Sequence, residues 1–588
     1  MNHLTILLTL TSFSIMAQTA DFRTPFEKNN NTTATYQEAS DFYKKLDAAY
    51  DQLQVTEWGT TDAGFPLQVA VLSKNKTFDP VELRKQGKCI LFINNAIHPG
   101  EPEGVDATMM LVRDYLQKPD LQPFLENVVL AVVPFYNIGG GLNRGCCSRA
   151  NQNGPDEYGF RGNAKNLDLN RDFIKCDSKN AQTFTQIFNY WLPDVFIDNH
   201  TSNGADYPYT MTMLATQEDK LGPVLGKYLR EDLLPVLYQK MAERKWEMCP
   251  YVNVWGSTPD KGIPGFNDSP RFGSGFAASH HCIAFVPETH MLKPYPDRLR
   301  ATYAFMDVTI QEVNARAKVI IAKRKEAITA CMEQETFPLD WKMDEANPDM
   351  ITFKGYEAKT KPSEVTGLER LWYDRSAPYT KEIPYWNHFK PSVEVVKPLA
   401  YIFPQAYSEV AGRLQWNGVQ LLRLGEDTEV EVEMYSIKKY KDRDAYEGHY
   451  LHQEVEVEVK TVRRKYHKGD YVAFTGQPAV RFLVETLEPQ GVDSYFAWNF
   501  FDGILGQKEG FSDYVFEDMA ADFLKKHPDV KAELEAKKKE DPEFAKSKWA
   551  MLGFVYQRTS YYEPTFNLYP VGRVVTAVKL PVEERVRG

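Results

Sequence analysis

The chain has 588 residues, which at roughly 100 to 200 residues per domain gives two to four domains and excludes a single small module. Hydrophobic residues make up 43%, charged 25% and aromatic 13%, a profile that excludes disordered, collagen-like and coiled-coil chains. With 69 Lys and Arg against 80 Asp and Glu and a net charge of -11, no basic excess points to nucleic acid or to an anionic lipid surface.

An apolar run from Leu4 to Met16 closes on the small residue Ala17. It is shorter than the ~20 apolar residues that span a bilayer, and it reads as a signal peptide over 1–17, although no Lys or Arg precedes it. No later window is an uninterrupted apolar stretch of spanning length, so the mature protein is expected to be exported, secreted or periplasmic, without a membrane span. The seven cysteines all fall at or before Cys331. No CxxC occurs, and Cys146 or Cys147 with Cys176 is a disulfide candidate in an oxidising compartment. Cys89 and Cys282 each open an apolar run and read as core.

In chain order, four strand-length apolar runs stand out: Cys89 to Ile93, Val128 to Val133, Asp194 to Ile197 and Cys282 to Val286. They alternate with helical patterns such as Gly104 to Leu116, which predicts an α/β unit with an open sheet and flanking helices over 18–335. A stretch rich in Pro and charge, 336–367, reads as a linker. Beyond it, Thr428 to Met434 and Glu454 to Val459 alternate strictly, the pattern of antiparallel strands with one wet face. From Ser512 to Tyr556 the pattern is helical, with Pro528 and Pro542 at helix starts. The expected second unit, 368–588, is β-rich with a helical end.

Polar residues follow three of the four runs. His98 and Glu101 lie in the turn after the first, His200 follows the third through Asp198 and Asn199, and Glu288 ends the fourth. Ligands of open α/β sheets bind outside the carboxyl ends of the strands, so these four are expected to cluster. Two histidines and a glutamate leaving a fourth position open describe a catalytic zinc site, with Glu288 as the base beside it. The competing constellations fail: Gly139 to Gly145 lacks the third glycine of a dinucleotide loop, and no GxSxG occurs. His280 and His281 would point oppositely on a strand, His290 reads as packing or support, and His449 and His452 read as solvated surface.

The order His98-x-x-Glu101, Arg161-Gly162-Asn163, Leu167-Asp168-Leu169-Asn170-Arg171, Asp198-Asn199-His200 and a late strand ending at Glu288 resembles the zinc carboxypeptidases of the funnelin type, peptidase family M14. The resemblance spans about residues 45–310. It implies Zn2+ held by His98, Glu101 and His200, with Glu288 as general base and then acid. It further implies that Arg161 polarises the scissile carbonyl and that Asn170 and Arg171 grip the free carboxylate of a peptide substrate. Asp172 and Thr201 stand where family members often carry Asn and Ser. The aromatic residue that caps the substrate pocket finds no counterpart in Gly262 to Phe276, which holds no Tyr. A zinc amidase or endopeptidase acting on peptidoglycan stem peptides or other amide conjugates, and a non-catalytic binding protein, are the alternatives. Side-chain preference, oligomeric state and the role of the second half stay open.

Overall fold

Strands buried on both faces read as continuous apolar runs, and the four runs become the middle of one mixed sheet. The computed structural model describes residues 21–583, so the expected signal peptide lies outside the described residues. Among the described residues ten strands precede residue 300: β1 (Leu53–Trp58), β2 (Leu67–Leu72), β3 (Cys89–Asn94), β4 (Val128–Val133), β5 (Val195–Asp198), β6 (His200–Ser202), β7 (Met211–Ala215), β8 (Met248–Pro250), β9 (Ile263–Pro264) and β10 (Ile283–His290). The main sheet runs β1-β2-β4-β3-β5-β10-β7-β8, with β6 pairing β10. β3, β4, β5 and β10 are mutually parallel where they pair, while β1, β2 and β7 join antiparallel.

Alternate residues of these strands feed two cores. Leu91, Ile93, Leu130 and Val132 pack with the helices Glu103–Gln117 and Tyr295–Glu333, whereas Ile90, Phe92, Val129 and Ala131 pack on the other face with the helix Lys179–Trp191. That second core also contains Tyr401, Phe403, Phe482, Tyr495, Trp498 and Tyr569. The second half of the chain therefore packs against a face of the main sheet within one continuous apolar cluster.

The second half is built of β11 (Thr336–Met343), β12 (Asp349–Pro362), β13 (Glu369–Trp386), β14 (Phe389–Val396), β15 (Ala400–Phe403), β16 (Leu422–Leu424), β17 (Thr428–Asp442), β18 (His452–Tyr466), β19 (Tyr471–Phe474), β20 (Gly572–Val574) and β21 (Val582–Glu583). A seven-stranded sheet runs β18-β17-β20-β15-β19-β16-β21. The two alternating segments pair as the antiparallel hairpin β17–β18, with Val430, Val432 and Met434 buried on one face. Helices Asp513–Lys526, Pro528–Glu540 and Lys548–Tyr556 form the helical end.

Residues 336–367, read from the sequence as a linker, fold instead as strands. β11 pairs β14, and β12 forms a long hairpin with β13, whose end lies parallel to β9. The base of this hairpin buries Phe353 and Ile383 against Tyr207 and Tyr209, while from Glu357 outward β12 is exposed and carries Lys359 and Lys361, so the apolar alternation is confined to the short stretch around Ile351 and Phe353. The expected pairing of Cys176 is also corrected. Cys146 is bonded to Cys147, and Cys176 is a free thiol buried against Phe173 and Thr185. His452 is buried between Asp442 and Asp502, and His449 meets Asp177 at 2.7 Å, so neither is freely solvated. No helix among the described residues is long and apolar enough to cross a membrane.

His280 and His281 lie in the turn before β10, and His280 packs among Phe188, Phe276 and Phe482 with Nε2 3.2 Å from Asn417 Oδ1. Burial holds His280 at about 4, so the folded protein takes up this proton less readily than the unfolded chain, whose value is ~6.5. The associated stability is complete above that value and is lost as pH falls toward 4, amounting to about 3 kcal/mol at pH 4. Wild-type unfolding free energy followed by denaturant titration should fall more steeply between pH 6.5 and 4 than that of His280→Gln. Parallel pH curves for the two proteins would show that His280 charges without cost.

Candidate metal centre and catalytic cleft

The ends of β3, β5 and β10 fall side by side, because Asn94 pairs with Asp198 and Glu288 pairs with His200 in register. After β3 the chain turns through Ala96, at φ 56°, into His98-Pro99-Gly100-Glu101 and then the helix Glu103–Gln117. The start of that helix presses on the break between β5 and β6. A Cβ on Gly104 would stand 2.5 Å from the Asn199 Cβ and 2.5 Å from Asn95 Oδ1. Only glycine permits this approach, which brings Glu101 against His200.

His98, Glu101 and His200 are buried, and one donor atom from each lies within 4.8 Å of the others. Both imidazoles are used the same way round. His98 Nε2 lies 2.9 Å from Asp168 Oδ1 and His200 Nε2 lies 3.1 Å from Asp198 Oδ2. Each Nε2 faces an aspartate that accepts its proton, which leaves Nδ1 as the nitrogen turned toward Glu101. Those two Nδ1 atoms stand 3.2 and 3.0 Å from the two oxygens of Glu101, and His98 Nδ1 is buried with no hydrogen bond. With each Nε2 committed to an aspartate, a cation shared by the two Nδ1 atoms and Glu101 would take the place that protons otherwise fill between them. Two imidazole nitrogens and a carboxylate, each histidine backed by an aspartate, are the donor set and outer support that suit zinc.

The surroundings fix the carboxylate further. Glu101 Oε2 accepts the Thr201 backbone N–H at 2.8 Å, and Oε1 accepts Arg149 Nη1 at 2.8 Å. Burial alone would raise the Glu101 pKa, but His98, Arg149 and His200 hold it well below the usual carboxylate range. Asp168 is likewise held low against burial by His98, Arg161 and Arg171. Glu288 goes the other way. Burial, reinforced by the charge of Glu101, pushes it up to about 8 against the pull of His200, Arg149 and Arg161.

These groups open into a cleft of about 590 Å3 whose lining includes all seven residues singled out by sequence: His98, Glu101, Arg161, Asn170, Arg171, His200 and Glu288. Arg161 is half-exposed at its edge, donating from Nε to Asp168 Oδ2 at 2.9 Å. Asn170 Oδ1 accepts the Gly273 N–H at 3.3 Å. Arg171 donates from Nη1 to the Asn170 carbonyl at 2.8 Å, and its guanidinium lies 4.4 Å over the Phe272 ring. His290 stays outside the lining, with Nε2 donating to the Ala205 carbonyl at 2.9 Å.

Sequence reasoning missed four residues. Asp168 and Asp198 stand in the motifs without a role read from sequence; the i, i+2 spacing of Asp198 and His200 is a signal for Asp198, since such residues share a face of extended chain, whereas Asp168 lies 70 positions from His98 and has none. Arg149 sits in an irregular loop and had no signal. Tyr251 lines the cleft from upstream of Gly262 to Phe276, while Phe266, Phe272 and Gly273 of that segment line it as well.

The family model described as zinc carboxypeptidase matches residues 39–202. No curated protein matches the chain. Among solved structures, the chain is similar to a putative carboxypeptidase from Burkholderia mallei, at 18% identity and TM-score 0.36, over 48% of this chain and 68% of that one. It is also similar to a metallo-carboxypeptidase from Pseudomonas aeruginosa in complex with (2-guanidinoethylmercapto)succinic acid, at 17% identity and TM-score 0.37, over 49% and 70%. A third is a putative metallopeptidase from Shewanella amazonensis, at 16% identity and TM-score 0.34, over 48% and 93%.

Proposed function

Because residues 39–202 belong to the zinc carboxypeptidase family, we propose that this protein is an exported zinc-dependent carboxypeptidase that removes C-terminal residues from peptides. The observation that carries the reading is the pair of aspartate-backed imidazoles whose Nδ1 atoms converge on Glu101 beneath a cleft that holds Glu288, Arg161 and Arg171. The run Leu4 to Ala17 and the Cys146–Cys147 bond support an oxidising compartment outside the cytosol.

His98, Glu101 and His200 would hold the metal. Zinc held there would supply Lewis acidity toward a water and a carbonyl oxygen, and a positive charge that would lower the Glu288 pKa from about 8. Glu288 takes a proton from the attacking water and returns it to the departing amine, work suited to a carboxyl whose pKa lies near the working pH. Arg161 is held by Asp168 through Nε and Nη2 and reaches Glu101 Oε1 with Nη1 at 3.5 Å, and its charge at the edge of the cleft stabilises the oxygen of the scissile carbonyl as that oxygen gains charge. Arg171 and Asn170 seat the terminal carboxylate, for which a planar guanidinium is the matching donor. The Tyr251 hydroxyl, protonated at neutral pH as any tyrosine is and pushed further up by burial and by Glu288 and Glu101, can donate to the peptide.

The test is a peptide panel in free-acid and amidated forms. Wild type should prefer free acids strongly. Arg171→Ala should lower kcat/KM on free acids by about 10- to 100-fold, the loss of hydrogen bonds to a charged group, and should change amidated substrates little. Equal wild-type rates on both forms, unaffected by Arg171→Ala, would leave a zinc amidase or endopeptidase and overturn the carboxypeptidase reading.

A further inference from the structure

The turn that joins β17 to β18 belongs to the second half of the chain, yet its tip lies against the cleft of the first. Tyr446 and His449 form a bridge around Glu447 and Gly448, whose φ values are 50° and 83°. Both middle positions of this tight turn are left-handed, which Gly448 adopts freely and Glu447 only at a cost. The strained residue has a use. Glu447 Oε2 accepts the backbone N–H of Asp168 at 2.8 Å, and Asp168 is the residue that orients His98 and Arg161. Its neighbour Tyr446 accepts from Arg171 Nε at 3.0 Å.

The guanidinium of Arg171 is thus divided. Nε is spent on Tyr446 and Nη1 on the Asn170 carbonyl, with Phe272 beneath the plane. Among the described residues Nη2 makes no hydrogen bond, so that end is left to face the cleft that Arg171 lines. A flexible arginine held at two of its nitrogens loses little further freedom when a carboxylate arrives. Tyr446 is itself held on several sides. Its ring is stacked on Trp498 at 6.2 Å and 20°, and the guanidiniums of Arg443 and Arg271 stand 4.2 and 5.9 Å from its centre. Arg271 is anchored by Asp493, and Trp498, wholly buried, donates to the same carboxylate. Segments around 271, 446 and 493–498 therefore lock the tyrosine hydroxyl in place.

We propose that Tyr446 is a positioning residue for the substrate's terminal carboxylate: the β17–β18 turn of the second half holds Arg171 in its gripping orientation and so sets the preference for free-acid peptides. The inference rests on the reading of Arg171 given under Proposed function. It assigns the second half a part in the cleft itself, so that a catalytic unit ending near residue 335 would lack the turn that completes its substrate site.

Tyr446→Phe removes the hydroxyl and keeps the ring on Trp498. In the full-length protein it is expected to raise KM for a free-acid peptide by about tenfold with kcat within about twofold, and to lower the ratio of free-acid to amidated kcat/KM by the same factor. Its melting temperature should match wild type. In the double variant with Arg171→Ala, Tyr446→Phe should have no further effect, because both act through one contact. If Arg171→Ala abolishes the preference and Tyr446→Phe leaves it at the wild-type value, or lowers both substrates equally, the positioning role is overturned while the carboxypeptidase reading stands. If Arg171→Ala itself leaves the preference unchanged, the carboxypeptidase reading and the role of Tyr446 fall together.

Discussion

Replacing Glu288 by Gln is expected to lower kcat/KM by about 10^2- to 10^4-fold, the range for loss of a general acid–base group, with metal content unchanged. Gln fills the same volume beside His200 on β10 but cannot take up or return a proton. Glu288 is not one of the three groups whose donor atoms converge, so its loss leaves the metal site intact. A second consequence follows from the environment that raises its pKa. In metal-stripped protein the folded value of about 8 lies above the unfolded ~4.3. The folded state therefore binds more protons between those values, and stability falls as pH rises through 8. Gln carries no such penalty, so the metal-free variant should melt above metal-free wild type at pH 8 and converge with it toward pH 4. Turnover within tenfold of wild type would require another base in the cleft.

The middle of the sheet was legible because β3, β4, β5 and β10 are buried on both faces and leave unbroken apolar runs in the sequence. The site was legible for a related reason. Parallel strands deliver their carboxyl ends to one edge, so His98, His200 and Glu288 could be grouped without knowing any distance. The β12–β13 hairpin escaped because only its base, around Phe353 and Ile383, is packed, and the exposed outer half of β12 carries no apolar alternation. Arg149 and Tyr251 escaped because loops have no period. Tyr446 and Glu447 lie 275 and 279 positions from the residues they touch, and a contact at that separation leaves no local pattern. The shared core was hidden likewise, since aromatic residues such as Trp498 and Tyr495 carry no mark of which half's core they join.

One zinc per chain is expected, and His98→Ala or His200→Ala should leave protein that loses it on dialysis against a mild chelator. Each substitution removes one of three protein donors and leaves Glu101 facing a single imidazole. The supporting aspartates provide a graded comparison. Asp198→Asn weakens the acceptor that supports His200 Nε2 and disturbs the bond that Asn94 Nδ2 makes to the other oxygen at 3.0 Å, and loss of such support costs about 10- to 100-fold in metal affinity. Asp168→Asn should match that loss in affinity and exceed it in rate, because Asp168 also holds Arg161 Nε and accepts the Asn170 N–H at 2.9 Å. Competition titrations with a chromophoric chelator give the affinities, and elemental analysis gives the stoichiometry. Metal removal should also lower the melting temperature, since a ligand present at ~1,000 times its Kd stabilises the folded state by about 4 kcal/mol. That shift should be reversed by added zinc in wild type and be absent in the two histidine variants. Full zinc content through both histidine substitutions would place the metal elsewhere and leave the convergence of the two Nδ1 atoms on Glu101 without a purpose.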